Sequence, residues 1–496
     1  DKRYQHALAA MGTSGGWPLS MFLTHDKKPF YGGTYFPPDE GFGRPGFKAI
    51  LMAISRLYSE NKEEAAGYAE QYMEFLKNEA IEEGGDIDIS MLEEAEKKML
   101  STMDRFHGGF GNAPKFPMSG ALEFLINRCK KNNNEALASA VKKTLTSMAD
   151  GGIHDQIGGG FHRYSTDEAW IIPHFEKMAD DNAWLLRNYA DAYRVFGDNY
   201  FKEVAEGIID FLNRELSDAD GGFYASQDAD VTSDDEGGYF LWRDNDFKDN
   251  LSDEEYRVLS HYFLHQRGAM KHDTSKMVLH ITENTKTLAE RLNMNEEDVK
   301  RLLKSGKKRL LAEREKRQKP IIDQAMYTSL NGMLISALLN AERALSHGGA
   351  KELAVKGINK ILEINVHNGR LLHSEGIYAM LDDYANFIDA LISAYELTQN
   401  KSYLEQAESY MEQCIERFYD KNKSGFFDTE QDIIGIRLKG IDDSPHPSAN
   451  AICIVCLIKL SSLLGKDNFM HYAESALKYF CLSAKAMGIH SGYYFH

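Results

Sequence analysis

From Ser90 onward the apolar residues of this chain recur at helical spacing with few interruptions, which limits the folds open to it more than any other feature. Over 380–398, Leu381, Tyr384, Phe387, Ile388, Leu391, Ile392 and Tyr395 fall on one helical face. The same spacing predicts further helices near 90–103, 119–131, 134–149, 179–196, 198–215, 252–263, 324–345, 349–365, 400–419, 447–464 and 468–484. Between them one loop type recurs: "DRFHGGFG" at 104–111, "DADGGFYASQDAD" at 218–230 and "DKNKSGFFD" at 420–428. Each is an acidic turn, then glycine, then an aromatic residue. Repeated α-hairpins with one loop style stack into a solenoid or close into a toroid. Twelve helices taken in pairs make six hairpins, which fits closure into an (α/α)6 toroid. The stretch 286–318, rich in charges of both signs, reads as a helical insertion.

The first eighty residues have a different character. Pro18–Thr24 is a short apolar run, Asp26-Lys27-Lys28 a polar turn, and Phe30–Tyr35 the partner strand. A lone hairpin is marginal in water, so it belongs to a larger sheet. A helix follows from Phe47 to Leu76, then an acidic, glycine-bearing linker over Glu82–Asp88, and Ser90 with Glu93 forms a capping box that opens the helical region. Two units result, 1–82 and 83–496. With 43% hydrophobic and 11% aromatic residues the chain has material for a large core. The net charge, 57 − 75 = −18, argues against nucleic acid or an anionic membrane surface as the main partner. Five cysteines without framework spacing point to reduced thiols and a cytoplasmic location. No stretch reaches the ~18 apolar residues of a membrane span.

The chemistry-bearing residues concentrate in "GGIHDQIGGGFHRYSTDEAWIIPHFEKMADDNAW", Gly151–Trp184. Glycines in its first half and Pro173 in its second preclude a regular helix over 151–175. Trp170, Ile171 and Phe175 argue for order, and long ordered loops are commonly functional. In a toroid such a loop lines the mouth of the central cavity. Arg163 would take an anionic or hydroxyl-rich ligand, with His174 and Glu176 as general acid or base. The structural alternative is an Arg163–Glu176 salt bridge pinning the loop, with His162 and His174 satisfied by backbone groups. In "SQDAD", Asp228 and Asp230 are either a carboxylate pair for glycoside chemistry or turn caps. Asp382 and Asp383 open a helix, where carboxylates favour the macrodipole, and "HPSAN" at 446–450 is a helix start or a cavity rim.

Cys453 and Cys456 have CxxC spacing but sit inside "ANAICIVCLIKL", which reads as core packing. The glycines of 151–160 match no phosphate-binding fingerprint. His154, His162 and His174 lack metal-ligand spacing. No metal or cofactor is implied.

Taken together, "GGWPLSMFLTHDKKPFYGGTYFPP", "GGIHDQIGGGFHRYSTDEAWIIPHFEKM", "GGFYASQDAD", "LDDYANFIDAL" and "GFFDTEQD" closely resemble the thioredoxin-domain-containing family typified by spermatogenesis-associated protein 20. The resemblance covers essentially the whole chain. It implies a partial thioredoxin-like α/β domain over 1–82 and a six-hairpin-glycosidase-like toroid over 83–496, similar to those of N-acylglucosamine 2-epimerases. By resemblance, Pro18–Tyr35 corresponds to the last two thioredoxin-like strands and Phe47–Leu76 to the final helix. Pro18 falls at the thioredoxin cis-proline, so a cis Trp17–Pro18 bond is expected. The family's Cys-x-x-Cys pair lies upstream of the hairpin; there is no cysteine before Cys129, and the chain reads as beginning partway through its first domain. Where relatives have an acidic-acidic-lysine run and Trp-Asn-Gly, Asp323, Asn331 and Gly332 remain, but Gln324, Ala325 and Leu330 depart from the pattern.

Two functional readings follow. In one, the toroid binds or transforms a small sugar-like metabolite, as an isomerase, epimerase or glycoside hydrolase would. His174, Glu176 and Asp228 are then catalytic, and Asp155, His162, Arg163, Tyr164, Lys177, Asp230 and Asp383 bind substrate. In the other, the chain is a redox or protein-interaction factor with a non-catalytic toroid.

Overall fold

The computed structural model describes the chain apart from residues 1, 14, 42, 44, 80–83, 133, 233–234 and 433–435. The expected boundary between 82 and 83 lies outside the described residues. The N-terminal unit comprises helix α1 (Lys2–Ala10), the antiparallel strands β1 (Ser20–Leu23) and β2 (Pro29–Gly33), and helices α2 (Phe47–Glu60) and α3 (Lys62–Glu79). Sequence periodicity suggests one helix from Phe47 to Leu76, but Asn61 leaves helical geometry (φ −142°) and its C=O accepts the Glu64 N–H (3.1 Å). The Asn61 side-chain amide also donates to Glu64 Oε2 (2.6 Å), and the run is divided there. Trp17–Pro18 is cis, as are Ala113–Pro114 and Ser444–Pro445. The unit docks on the remainder of the protein through Ala7, Met73 and Leu76 against Ile436 and Leu438, and through an Arg3–Asp428 ion pair of 3.2 Å.

The remaining helices are α4 (Ser90–Thr102), α5 (Ser119–Lys131), α6 (Glu135–Asp150), α7 (Ala179–Phe196), α8 (Asn199–Phe211), α9 (Asp244–Asn250), α10 (Asp253–Phe263), α11 (Thr285–Leu292), α12 (Glu296–Arg314), α13 (Thr328–Leu345), α14 (Gly349–Ile364), α15 (Leu381–Thr398), α16 (Lys401–Phe418), α17 (Ala449–Leu464) and α18 (Asp467–Met487). Five of them, α5, α7, α13, α15 and α17, form an inner ring, each packed on the next. They are buried on most of their circumference; α13 is buried at fourteen of its eighteen positions. The outer helices α6, α8, α14, α16 and α18 each pack behind the inner helix that precedes them. A 3₁₀ helix, Gly488–Phe495, closes the ring between α17 and α5, with α4 behind it. The fold is therefore the mostly α toroid expected, but its sixth hairpin is not. Helix α10, one of the twelve counted, joins α9, α11 and α12 in a separate core built on Trp242, Phe247, Leu259, Phe263 and Leu310. Its apolar stripe resembles that of an outer helix, so local pattern does not reveal its partner.

The long connections all join an outer helix to the next inner one, at one end of the ring. Four share a single geometry. The N–H groups of Asp104, Asp155, Asp218 and Asp420 bond to the carbonyls of Gly109 (2.8 Å), Gly160 (3.0 Å), Gly222 (3.1 Å) and Gly425 (2.9 Å). These four glycines all have φ between 74° and 84°, in the left-handed region that suits glycine. The residue after each is a buried phenylalanine. The side-chain amides of Asn182, Asn331 and Asn450, in the first turns of α7, α13 and α17, each grip both backbone groups of one of them, Phe161, Phe223 and Phe426, at 2.7–3.0 Å. This recurring clamp fixes three of the four loops to the inner helix that follows each. Strands β3 (Tyr164–Ser165) and β4 (Pro173–His174) form a hairpin at this end. Strands β5 (Lys177–Met178), β6 (Ser226–Gln227) and β7 (Ile322–Asp323) make a second small sheet. A third contains β8 (Val366–His367), β9 (Arg370–Ser374) and β10 (Ile377–Tyr378).

Candidate functional site

The loop 151–178 lies at the end of the ring where the long connections gather. Several of the residues expected to bind substrate instead build the loop itself. Asp155 is buried and receives Lys177 Nζ (2.7 Å), Arg314 Nη1 (2.8 Å) and the N–H groups of Ile157 and Gly158. Burial disfavours its charge, yet Arg314 and Lys177 hold its carboxyl well below the usual range. Burial lowers Lys177 to about 8 against the pull of Asp155. The same aspartate–lysine pairing closes two sister loops, Asp104–Lys115 (2.6 Å) and Asp420–Lys439 (2.8 Å), which marks Asp155 and Lys177 as loop architecture. His162 is buried edge-on to Phe175 and Phe240, with Nδ1 2.7 Å from the Phe175 carbonyl. Burial drives its pKa well below the ordinary histidine value. Asp383 is fully buried and accepts the Ser329 and Met380 N–H groups (both 2.9 Å). Asp228 is exposed beyond β6, while Asp230 is part-buried with an unpaired Oδ1, its pKa raised by burial and by Glu236.

Four expected residues do converge. Arg163 Nη1 lies 3.2 Å from Glu176 Oε2, the ion pair of the structural alternative. His174, however, is engaged by carboxylates on both ring nitrogens, Glu236 at 3.0 Å from Nδ1 and Glu176 at 3.6 Å from Nε2. Tyr164 stacks between His174 (5.1 Å) and Phe116 (4.9 Å). The neighbouring Glu176 carboxylate, followed by the hydrogen bond to Glu236, raises the His174 pKa against the opposing effect of burial. Glu176 is lowered in turn by His174 and Arg163. Because the folded pKa of His174 lies above its unfolded value near 6.5, its stabilisation is complete below that pH and is lost as pH rises through the folded value. The urea midpoint of the wild type is therefore expected to exceed that of His174→Gln at pH 5.5 and to converge on it by alkaline pH. A difference that does not change with pH would refute this.

Beside Arg163 opens a cavity of about 380 Å³, walled by Phe116, Met118, Asp181, Leu185, Ser444 and His490. Asp181 has a buried Oδ2 with no hydrogen-bond partner, and burial followed by Asp180 pushes its carboxyl well above the usual range against Arg163. Sequence reasoning passes over Asp181 because two aspartates opening a helix read as ordinary N-terminal acids. Deeper in, the axis is closed by Arg187, which pairs with Glu123 and Asp389 (both 3.4 Å), and by Lys459 on Asp389 (3.3 Å). Asn331, where the chain keeps the family's Asn-Gly, is one of the loop clamps. A Cβ at Gly332 would lie 2.6 Å from the Asn386 backbone carbon. Both residues therefore have structural roles that are independent of the Gln324, Ala325 and Leu330 departures. Cys453 and Cys456 are fully buried.

The family described as "Protein of unknown function, DUF255" (Thioredox_DsbH) matches residues 1–77. Human spermatogenesis-associated protein 20 is 31% identical over 526 residues, covering 95% of this chain and 66% of that protein. An uncharacterised Caenorhabditis elegans protein is 32% identical, covering 96% and 71%. The chain belongs to the spermatogenesis-associated protein 20 family. It spans about 66% of the length of the mammalian members it matches, which include the rat protein. The family assignment carries a thioredoxin-like domain at the N-terminus. Among solved structures, D-mannose isomerase superposes with a TM-score of 0.50 at 9% identity, covering 80% of this chain and 87% of that one. Cellobiose 2-epimerase from Bacillus thermoamylovorans gives 0.51 at 10%, covering 79% and 86%. At such identities the likeness is one of fold, and it is the six-hairpin toroid of this family member. Among the described residues no helix is long and apolar enough to cross a membrane.

Proposed function

We propose that the toroid of this family member binds a small carbohydrate-like metabolite at its mouth and transforms it by proton transfer, as an isomerase or epimerase does. The observation that carries the reading is the Arg163–Glu176–His174 cluster, whose Arg163 lines a cavity of about 380 Å³. His174, whose charged form is favoured by the two carboxylates beside it, is suited to donate a proton. Arg163 and Tyr164 would orient hydroxyl groups, with Phe116 as an apolar platform. The fold shared with D-mannose isomerase and cellobiose 2-epimerase is consistent with a ligand of this class. A hydrolase reading is less favoured, because two carboxyls must flank one bond and Asp228 is exposed. The scaffold reading would leave the open mouth cavity without a role.

The test incubates the protein in D₂O with D-mannose, N-acetyl-D-mannosamine and cellobiose while proton NMR follows the C2–H signal. At least one sugar is expected to lose that signal, with His174→Gln slowing the loss by about 100-fold or more. If no sugar exchanges and none raises the melting temperature, the reading fails.

A further inference from the structure

The third mouth sheet carries a histidine that sequence reasoning does not single out. His373, on β9, has Nδ1 at 3.0 and 3.1 Å from the two oxygens of Asp383. Asp383 is itself fixed by backbone N–H groups from the first turn of α13 and the entry to α15. Its remaining role toward the imidazole is to accept a hydrogen bond from Nδ1–H, and that sets the tautomer. The ring lies flat against Tyr327, at 4.7 Å and 23°. Two neighbours thus hold the imidazole, and Nε2 is left with its lone pair. No hydrogen bond to Nε2 occurs among the described residues, and 22% of the side chain is exposed.

The contrast with His174 gives this its meaning. Both nitrogens of His174 face carboxylates, so it can give up a proton but presents no free lone pair to receive one. Proton transfer between two positions of a ligand needs an acceptor as well as a donor. We propose that His373 is the proton acceptor of the toroid, with Asp383 as its positioning residue. This rests on the reading of the mouth as a proton-transfer site. In the step, Nε2 takes the proton from a carbon next to a carbonyl, and the C–H electron pair moves into the carbon–carbon bond while negative charge settles on the carbonyl oxygen. Returning a proton to carbon reverses the electron flow, so no oxidant or reductant is involved. The titratable groups facing His373 are Asp383 and Asp382 of α15 and the Tyr327 phenol before α13. Asp383, and then Asp382, raise its pKa against burial.

Two measurements on the full chain test this. The first is modification by diethyl pyrocarbonate, read per histidine by mass spectrometry between pH 6 and 8. His373 is expected to react several-fold faster than His174, its rate rising through an inflection above pH 6.5. A His373 rate no faster than that of His174 overturns the inference. The second is the deuterium exchange assay with the same three sugars, D-mannose, N-acetyl-D-mannosamine and cellobiose. His373→Ala is expected to lose about 100-fold or more of the exchange and to recover part of it with free imidazole, which a packing role would not do. Wild-type exchange rates in His373→Ala overturn the inference. If the wild type exchanges none of the three and none raises its melting temperature, the reading of the mouth as a proton-transfer site falls, and the modification rates alone decide whether His373 is the free base described.

Discussion

Asp155→Ala is expected to destabilise the protein by about 3–5 kcal/mol, enough to leave a large unfolded fraction at moderate temperature. Among the described residues, the side chain removed is the only carboxylate bonded to both Lys177 and Arg314, whose side chains are 1% and 2% exposed. Removing it leaves two buried cations facing each other without a counterion, and it also strands the Ile157 and Gly158 N–H groups. Because Arg314 ends α12, the same change cuts the insertion from the 151–178 loop. Amides of α12 should therefore lose hydrogen-exchange protection ahead of those in the inner ring. Since the carboxyl is held well below its ordinary range in the folded state, its contribution is present above the unfolded value of about 3.9 and is lost only in strong acid. Asp323→Ala, at an exposed carboxylate, serves as the comparison and should change the unfolding free energy by no more than about 0.5 kcal/mol. A similar small effect from Asp155→Ala would show that the triad is not what holds the loop.

Gly492→Ala is expected to have the next largest effect, about 3 kcal/mol, with loosening of the ring at its closure. The added Cβ would lie 2.4 Å from Ala121 Cα and 2.6 Å from its nitrogen. These are backbone atoms of α5 and cannot rotate away, so either the 3₁₀ segment or α5 must move. The cost should appear in the denaturation midpoint, together with new exchange at α5 and at Tyr493. Gly465 has a positive φ of 68° but nothing within 4 Å, so Gly465→Ala should cost only about 1 kcal/mol, from backbone strain alone. Equal effects at the two sites would mean that the closure tolerates separation.

The candidate site divides along the same line as the fold. Arg163, Tyr164, His174 and Glu176 are legible because they lie within fourteen positions of one another on a hairpin that turns them to one face. Glu236 meets His174 from 62 residues away, and Arg314 meets Asp155 from 159. No local pattern announces either contact, and without Arg314 the Asp155–Lys177 pair reads as ligand chemistry instead of a sealed joint. His373 is hidden for a related reason. A histidine in a short hairpin is unremarkable until Asp383 is seen to be pinned by two helix starts.

Sequence alone was enough for the mostly helical toroid, the α/β start and the positions of the five inner helices and the outer helix behind each. Helix formation and amphipathic burial are governed by neighbours three and four residues apart, which the chain displays directly. The Asp–Gly–Phe loops were visible as a repeat for the same reason. Only the tertiary structure could say which helix completes the ring, which charges face one another and which histidine nitrogen is left open. Those outcomes depend on pairings between distant segments, where desolvation and geometry select among many partners of equal local merit.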